Sequence, residues 1–400
     1  MIRPYAWGSW EVIAELQGRP VPADEPEAEL WMGAHPSAPS GLSRDGVVTT
    51  LDAVIARDPV RELGADCVAR FGGRLPFLLK VLSAESALSI QVHPSRAQAE
   101  AGFVAEKALG LAAGDPSRNY VDDWPKPELL CALTPFEALT GMRDPADAAD
   151  LLSALGVVRL APVTGSLASS AGDPRVLSCA LASVLAWPAE DRQALIDDVA
   201  AACTRLAASP GPYAAACAAI ARIAGDHRDD IGVVAALLLR HVVLRPGEAV
   251  FMPAGGLHAY LRGTGIELLA NSDNVVRAGL TGKHIDIPEL LKLLDPSVAV
   301  PVIEPVVRAP GIRQYVTPAP EFQLYHVELG DDVTRLPGTG PRIVLSVEGS
   351  ATLKAASGEV AEVVRGGSCF ISHVDGHVSA SGPARLFLST INPSAQPPST

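Results

Sequence analysis

The sequence predicts a mainly β protein that carries one α-helical insertion and ends in a second β-barrel. Over residues 1–140, short apolar runs are broken by Gly and Pro, a pattern typical of strands with a few helices. Over 141–240, Ala, Leu and Arg recur at helical spacing, and from 241 the period returns to two. We therefore expect 1–140 and 241–300 to form one β-domain, 141–240 a helical insertion domain, and 301–400 a C-terminal jelly-roll domain.

The composition limits the class of protein. With 400 residues, 48% of them hydrophobic, the chain is long enough for two or three domains and a large core. Its 32 basic and 45 acidic residues give a net charge of -13, which argues against binding to nucleic acid or to an anionic membrane surface. Any anionic ligand must therefore be held by a local cluster of basic side chains.

The sequence carries no sign of export. The first residues contain no apolar segment of the signal-peptide type, and no run reaches the roughly 18 apolar residues of a membrane helix. The six cysteines show no CxxC spacing, so neither a disulfide framework nor a thiolate zinc site is predicted. These features predict a cytoplasmic protein, and we expect a monomer, with a dimer as the alternative.

The insertion opens with a clear helix signal. Asp144 is a suitable N-cap, Pro145 suits the first turn, Gly156 can close the helix, and apolar residues between them recur at helical spacing. Further helices are predicted over 189–208, 213–224 and 231–240. We expect the apolar faces of these helices to pack mainly against one another.

Strand signals continue after the insertion. Residues 242–244, a turn at 245–248 and residues 249–252 predict a hairpin, and Pro305 within 302–307 indicates a linker. Further strands are predicted at 343–347, 351–353 and 386–388, and the turn pattern of 245–252 recurs at 348–350 and 365–371. This last region has no Gln-x-His pair, so we expect a second barrel without metal and, from 392 to 400, a loose tail.

A possible metal site is indicated by the strand-like run 87–93. Its residues alternate polar and apolar, so Ser89, Gln91 and His93 share one face. Glu128, in Lys126-Pro127-Glu128, and His258, after the glycines at 255–256, supply two further candidate ligands. Each residue alone is weak support, because lone polar residues in strands are commonly satisfied by the protein itself. Together Gln91, His93, Glu128 and His258 predict a site of two oxygens and two nitrogens.

At this point the chain resembles a known family, the type I mannose-6-phosphate isomerases (phosphomannose isomerases), which are cupin-fold zinc enzymes. The resemblance is carried by several blocks in order along the chain: Tyr5-Ala6-Trp7-Gly8, Ala28-Glu29-Leu30-Trp31-Met32-Gly33-Ala34-His35-Pro36, Leu75-Pro76-Phe77-Leu78-Leu79-Lys80, Leu88-Ser89-Ile90-Gln91-Val92-His93-Pro94, Lys126-Pro127-Glu128, His258-Ala259-Tyr260-Leu261 and Asn271-Ser272-Asp273-Asn274-Val275-Val276-Arg277-Ala278-Gly279-Leu280-Thr281. It is weaker over the helical insertion and the last hundred residues.

The resemblance implies two cupin-type jelly-roll barrels and one zinc ion per chain, bound by Gln91, His93, Glu128 and His258. It implies an active-site role for Arg277 and a place in carbohydrate metabolism, on the route to GDP-mannose. The chain departs from the family at two positions. Pro125 stands where the family often has His, so a proton shuttle through that His cannot be general. Gly282 stands where the family commonly has Pro, a change that affects only the stiffness of the loop before Lys283.

The implied reaction interconverts D-mannose 6-phosphate and D-fructose 6-phosphate through an enediolate, whose charge a metal stabilises as a Lewis acid. Zinc is favoured by the resemblance, because the ligand set also suits Mn(II), Fe(II) or Co(II). Lys126, Glu267 and Asp273 are the candidates for the base. Lys126 is preferred because it lies two residues from Glu128, on the same side of an extended segment. Glu267 has the alternative role of orienting a metal-bound His.

The phosphate of a sugar phosphate requires local cations, and the candidates are Arg277, Lys283 and Lys80, with the hydroxyl of Ser89 as a further donor. The alternative for the two lysines is a buried structural ion pair. Two rival functions stay open on the sequence. One is a Fe(II)-dependent cupin oxygenase, and the other is a non-catalytic sugar-phosphate-binding cupin.

Overall fold

The computed structural model describes residues 1–44, 46–112, 114–170 and 172–393. Its N-terminal part contains eight strands, β1 (Ile2–Arg3), β2 (Glu29–Gly33), β3 (Gly41–Arg44), β4 (Val47–Thr50), β5 (Phe77–Ala84), β6 (Ile90–Val92), β7 (Glu128–Ala132) and β8 (Phe136–Met142). Five helices lie between them, α1 (Val12–Leu16), α2 (Leu51–Arg57), α3 (Pro59–Leu63), α4 (Ala65–Phe71) and α5 (Arg96–Ala108). The strand at the predicted metal site is shorter than expected, since β6 covers three residues of the run 87–93.

The helical region follows directly, as predicted. It contains α6 (Pro145–Leu155), α7 (Ala161–Ser169), α8 (Arg175–Leu185), α9 (Ala189–Ala207), α10 (Ala214–Asp226) and α11 (Gly232–Ala235). The helix signal at its start is confirmed, because Asp144 accepts hydrogen bonds from the backbone N–H of Ala146 and Asp147 and Gly156 ends α6 in the left-handed conformation. The helix predicted over 231–240 is wrong at its end, where a strand begins at Leu239.

The chain then returns to strands, β9 (Leu239–Leu244), β10 (Ala249–Met252), β11 (His258–Ala270), β12 (Val276–Gly279) and β13 (Val302–Ile303), with helix α12 (Ile287–Leu293) before β13. The C-terminal part contains β14 (Val306–Ala309), β15 (Ile312–Tyr315), β16 (Gln323–Glu328), β17 (Thr334–Arg335), β18 (Arg342–Gly349), β19 (Ala351–Ala355), β20 (Val360–Val363), β21 (Ser368–Ile371), β22 (Val378–Ser381) and β23 (Ala384–Thr390). None of the helices in the described ranges is long and apolar enough to cross a membrane.

Strand β11 joins two antiparallel sheets. One runs in the order β1-β2-β5-β11-β7-β10-β13, and in the other β11 pairs with β6 and β8, which pair in turn with β12 and β9. The change of partner falls at Gly263, whose φ is +127°, and a Cβ there would lie 2.7 Å from the carbonyl oxygen of Pro135. Only glycine fits this crossing. Because β11 is long, it carries both His258, its first residue, and Glu267, which lines the space between the sheets.

Two details of the strand prediction are corrected by this topology. Strands β9 and β10 do not form a hairpin, because β9 pairs with β8 while β10 pairs with β7 and β13. The segment 302–307 is not a linker, since Ile303 pairs with Ala249 and Val306 with Gln314. The C-terminal strands form two sheets, β14-β15-β16-β23-β18-β21 and β17-β22-β19-β20. The predicted architecture is confirmed, although the strands of the described residues pair as open facing sheets rather than closed rings.

The hydrophobic cores cross the boundaries between these regions. The helices share one core with the β6–β12 side of the second sheet, for example through Ile90, Val92 and Val276. The outer face of the first sheet shares another core with the C-terminal sheet, where Leu79 and Ile266 belong to the same cluster as Phe322 and Phe387. The helices therefore pack largely against one another, as expected, but their core continues onto one face of the second sheet. At the C-terminus Asn392 is buried and donates to the carbonyl oxygens of Thr317 and Ala319, while the predicted tail beyond residue 393 lies outside the described residues.

Candidate metal centre and active site

A cavity of ≈ 420 Å³ opens between the two sheets that share β11. Its lining combines buried glutamates that pair with lysines and a further group of basic side chains. The described residues that line it include Arg3, Tyr5, Glu29, Trp31, Lys80, Gln91, Lys126, Glu128, Tyr260, Glu267, Asp273, Arg277 and Lys283. The cavity therefore combines most of the candidate ligands, bases and cations that the sequence predicted.

Three of the predicted metal ligands meet beside this cavity, which Glu128 lines while His93 and His258 are fully buried behind its surface. His93 follows β6, Glu128 begins β7 and His258 begins β11, so each comes from the end of a different strand. Nε2 of His93 lies 3.2 Å from Oε1 of Glu128, and Nε2 of His258 lies 3.4 Å from Oε2. All three side chains are fully buried, and their potential ligand atoms lie within 4.8 Å of one another.

The hydrogen bonds of the two imidazoles fix which nitrogen is free. Nδ1 of His93 donates to the carbonyl oxygen of Asn274 at 2.8 Å, and Nδ1 of His258 donates to that of Gly256 at 3.0 Å. Since a carbonyl can only accept, each ring carries its proton on Nδ1 and turns the lone pair of Nε2 towards Glu128. Lone pairs and carboxylate oxygens repel one another in a buried space. Nε2 of His93 is also left without a hydrogen-bond partner, so the donor set fits a cation.

Gln91 completes the set of four from the neighbouring strand. It lies directly opposite His258 in the pairing of β6 with β11, and its side-chain amide nitrogen lies 3.4 Å from Nε2 of His258. A half-turn of the terminal amide exchanges its nitrogen and oxygen, so the same side chain can present an oxygen ligand. Ser89 donates to the Gln91 oxygen at 3.5 Å. It lies beside this ligand and is not among the residues that line the cavity.

Burial and mutual charge set the protonation of the centre. Burial lowers the pKa of His93 to about 4, so the imidazole is neutral at physiological pH. Burial alone would raise the pKa of Glu128, but opposing influences, led by the charge of Lys126, outweigh it and hold the pKa well below the usual range. A neutral His and an ionised Glu are the states in which both residues can bind a metal.

The two leading base candidates lie on either side of Glu128. Nζ of Lys126 is 3.2 Å from Oε1 of Glu128, as the shared side of an extended segment predicts. Glu267 lies across the strand pair from Lys80, with its Oε2 2.9 Å from Nζ of Lys80. Burial raises the pKa of Glu267 to about 7, against the opposing charge of Lys80. An acid with this pKa is suited to proton transfer near neutral pH.

Lys80 lies in a buried ion-pair network rather than at the mouth of the cavity. Its Nζ contacts Glu267 and also Glu29, at 3.2 Å. Burial lowers the pKa of Lys80, but the charges of Glu267 and Glu29 raise it by more, so the lysine stays protonated. This is the alternative that the sequence left open for this lysine, a buried structural pair.

A cluster of three cations, Arg3, Arg277 and Lys283, lines the outer part of the cavity, and we call it the cation cluster. None of the three forms an ion pair with a carboxylate in the described part of the chain. The guanidinium of Arg3 donates to the hydroxyl of Tyr5 at 3.3 Å and lies over the Trp31 ring, 5.1 Å from its centre. Burial lowers the pKa of Lys283, and the charges of Arg277 and Arg3 lower it further. Like charges held together without acidic partners are typical of an anion site.

Asp273 lies near the cation cluster with its carboxylate partly exposed. Its Oδ2 is 3.4 Å from Nε2 of the buried His35. Burial raises the pKa of Asp273, but the hydrogen bond and charge of His35 lower it by more, so the group is ionised. An ionised, half-exposed carboxylate is less suited than Glu267 to take up a proton and hold it.

Sequence reasoning missed two residues of the site. Arg3 stands before the Tyr5-Ala6-Trp7-Gly8 block, and only its place on β1 beside β2 brings it to the cavity. Asn274, inside the quoted 271–281 block, has a backbone oxygen that orients His93. A backbone contact leaves no mark in the side-chain pattern, so no signal in the sequence identifies this role.

The comparisons with known proteins agree with this geometry. Residues 1–145 match the family model described as phosphomannose isomerase type I, catalytic domain. The mannose-6-phosphate isomerase of Salmonella typhimurium is 37% identical over 393 residues, covering 96% of both chains. This chain belongs to the mannose-6-phosphate isomerase family. A more distant member from Bos taurus is 33% identical over 93% of this chain and 92% of its own.

Solved structures of the family share the whole fold. A single-residue mutant of phosphomannose isomerase from Salmonella typhimurium superimposes with a TM-score of 0.89 at 35% identity, covering 98% of both chains. A holo, zinc-bound mannose 6-phosphate isomerase gives a TM-score of 0.87 at 35% identity, again over 98% of both chains. The likeness therefore includes the helical and C-terminal regions, where the motifs of the sequence were weakest.

Proposed function

We propose that this chain is a zinc-dependent aldose-ketose isomerase that interconverts D-mannose 6-phosphate and D-fructose 6-phosphate. One observation carries the proposal. Glu128 of the buried His93, Glu128 and His258 centre lines the same cavity of ≈ 420 Å³ as the cation cluster, and this cavity is large enough for a hexose phosphate. The names of the relatives and the zinc-bound neighbour support the same activity.

Zinc would be held by His93, Glu128 and His258 with Gln91 as fourth ligand, and it would supply a Lewis acid for the two oxygens on C1 and C2. The cation cluster would bind the phosphate at the other end of the sugar. Binding at both ends fixes the reacting carbons beside Lys126 and Glu267. In an isomerisation all reacting atoms belong to one molecule, so the protein contributes by holding C1 and C2 in the correct orientation to the base.

The reaction moves one proton between carbons. A base takes the proton from C2 of mannose 6-phosphate, leaving an enediolate, and a proton returned to C1 gives fructose 6-phosphate, while the hydroxyl proton moves from O2 to O1. Lys126 is our preferred base, because its Nζ is 3.2 Å from the ligand Glu128 and therefore lies beside the proposed metal centre. Glu267 is the second candidate, and its contact with Lys80 also suits it to stabilising the site.

The rival functions are less well supported. A Fe(II) oxygenase needs two His and one carboxylate but has no use for Gln91 or for the cation cluster. A non-catalytic sensor needs the cation cluster but has no use for a buried metal centre flanked by two base candidates. The proposed enzyme uses all of these features.

A coupled assay with mannose 6-phosphate on purified protein tests the proposal, with metal content and oxygen uptake measured on the same sample. We expect fructose 6-phosphate to form at a rate proportional to bound zinc, without oxygen uptake. Oxygen consumption would support the oxygenase, and tight binding of mannose 6-phosphate without turnover would support the sensor.

The cellular setting is also part of the proposal. We propose a cytoplasmic, monomeric enzyme. All six cysteines are free thiols, which suits a reducing compartment. Every candidate site residue comes from one chain, so a second copy is not required to complete the cavity.

A further inference from the structure

The segment 277–283 carries two members of the cation cluster and has an unusual backbone between them. Arg277 pairs with Gln91 in the β12–β6 ladder, and the register shifts between Arg277 and Gly279. Gly279 has φ of +153°, and the next residue, Leu280, has φ of +55°, the only positive value of a non-glycine residue in the described chain. Leucine rarely adopts this conformation unless its surroundings impose it. Something outside the segment must therefore hold this turn.

The helical region holds this turn in two ways, and the first is a pair of hydrogen bonds to the carboxylate of Asp230. One carboxylate oxygen of Asp230 accepts from the backbone N–H of Gly232 at 2.7 Å, and the other accepts from the backbone N–H of Thr281 at 2.8 Å. The first bond is local to the start of α11. The second ties the helical region to the middle of the segment 277–283, directly after the strained Leu280.

The helical region also holds the turn by direct packing, because the backbone at Gly232 lies close to the backbone at Gly279 and Leu280. A Cβ on Gly232 would lie 2.6 Å from the nitrogen of Leu280, and a Cβ on Gly279 would lie 2.5 Å from Cα of Gly232. Both positions therefore require glycine. The side chain of Leu280 is buried in the core shared with Val233 and Val234. Beyond Thr281 the turn continues to Lys283, whose N–H donates to the Thr281 hydroxyl at 3.1 Å.

We propose that Asp230 is a positioning residue for phosphate recognition, because its carboxylate holds the turn that sets where Arg277 and Lys283 point. This inference rests on the proposed function and deepens it. None of the described residues between 141 and 240 lines the cavity. The helical insertion therefore contributes to the site indirectly, through the hydrogen bond that the Asp230 carboxylate accepts from the N–H of Thr281.

The test compares Asp230→Ala with Asp229→Ala in the zinc-loaded protein. Asp229 is exposed and forms no hydrogen bond in the described residues, so it controls for the loss of one negative charge at the same place. We expect Asp230→Ala to raise KM for mannose 6-phosphate about ten-fold with a much smaller change in kcat. Calorimetry should show a similar loss of affinity for inorganic phosphate, with unchanged zinc content. Asp229→Ala should match the wild type.

A double-mutant cycle separates positioning from general damage. If Asp230 acts through the segment 277–283, Asp230→Ala should add little to the KM increase caused by Lys283→Ala. Fully multiplicative effects, or a folded Asp230→Ala protein with wild-type KM and phosphate affinity, would overturn the inference. If Asp230→Ala does not fold, Asp230→Asn, which keeps one accepting oxygen, should show a smaller shift in the same direction.

The phosphate readout keeps this inference independent of the proposed activity. A wild-type protein that binds inorganic phosphate but does not convert mannose 6-phosphate would defeat the proposed function. The effect of Asp230→Ala on phosphate affinity would still decide the role of Asp230.

Discussion

Both carboxylate oxygens of Glu128 are engaged on the cavity side, and this residue connects the metal centre to the rest of the site. Oε1 lies 3.2 Å from both Nε2 of His93 and Nζ of Lys126, and Oε2 lies 3.4 Å from His258 and from the hydroxyl of Tyr260. A single carboxylate thus contacts both imidazoles and the preferred base. Its position at the start of β7 explains why the Lys126-Pro127-Glu128 spacing is informative in the sequence.

Removal of Arg277 is expected to separate anion binding from metal binding. We predict that Arg277→Ala retains wild-type zinc content but lowers kcat/KM by about a hundred-fold, because a charge-assisted contact to the substrate phosphate is lost. Steady-state kinetics and metal analysis on the same sample measure this. Arg262→Ala is a suitable control, since Arg262 also lies on the sheet but is largely exposed and pairs with Glu85. Unchanged kinetics in Arg277→Ala would make its role structural.

The identity of the base can be decided by exchange of the transferred proton with solvent. We predict that Lys126→Met abolishes incorporation of deuterium from heavy water into the sugar, detected by mass spectrometry, while zinc stays bound. Glu267→Gln, which keeps size but removes basicity, should retain exchange at a reduced rate.

Two results would change this assignment. Rapid exchange in Lys126→Met would exclude Lys126 as the base. Loss of exchange in Glu267→Gln alone would transfer the role to Glu267, whose pKa of about 7 suits it.

At the scale of elements, two segments that border the cavity are locked together by reciprocal hydrogen bonds. Asn274 accepts from the N–H of Val121 at 2.7 Å and donates to the carbonyl oxygens of Asp122 and Trp124, each at 2.8 Å. In return, the Asp122 carboxylate accepts from the N–H of Asp273 at 2.8 Å. The segment that leads to Lys126 and Glu128 is thereby fixed against the one that carries Asp273 and Arg277.

Asn274→Ala should therefore loosen both segments at once. We predict a loss of on the order of 2–4 kcal/mol in the free energy of unfolding, since a fully buried amide network is removed, together with weaker zinc binding because the carbonyl that orients His93 is released. Denaturant unfolding and zinc competition measure the two effects. Asn271→Ala is the matched control, because the Asn271 side chain donates a single bond of 3.3 Å to Leu75. Equal losses of stability and zinc affinity in the two variants would show that the hydrogen bonds of Asn274 do not hold the two segments together.

Local signals predicted some elements well and pairings poorly. Helix α6 was predictable because its cap, its proline and its closing glycine all act within a few residues. The supposed β9–β10 hairpin was not, because a period of two reports which residues share a face but not which strand lies alongside. The four proposed ligands could be chosen from the sequence by residue type and motif, whereas Arg3 and Asn274 act through strand pairing and a backbone oxygen.

At the scale of the whole molecule, the helical region is continuous with the catalytic core. Val233 and Val234 share a cluster with Ile90 and Val92, which flank the proposed ligand Gln91. We predict that deleting 141–240 and joining the ends yields aggregated protein, because the uncovered sheet face exposes this apolar surface. Solubility and the presence of a cooperative thermal transition measure the outcome. A soluble deletion variant with a cooperative transition would show that the insertion is dispensable for the sheets.

The most direct test of the central claim, that the His93, Glu128 and His258 centre holds a catalytic zinc, is a zinc titration of metal-free protein with mannose 6-phosphate turnover followed at each step. We predict negligible turnover without metal, a linear rise that ends at one zinc per chain, and no such rise in His258→Ala, which lacks one nitrogen ligand. Full turnover of the metal-free protein, or an unchanged titration in His258→Ala, would contradict the account.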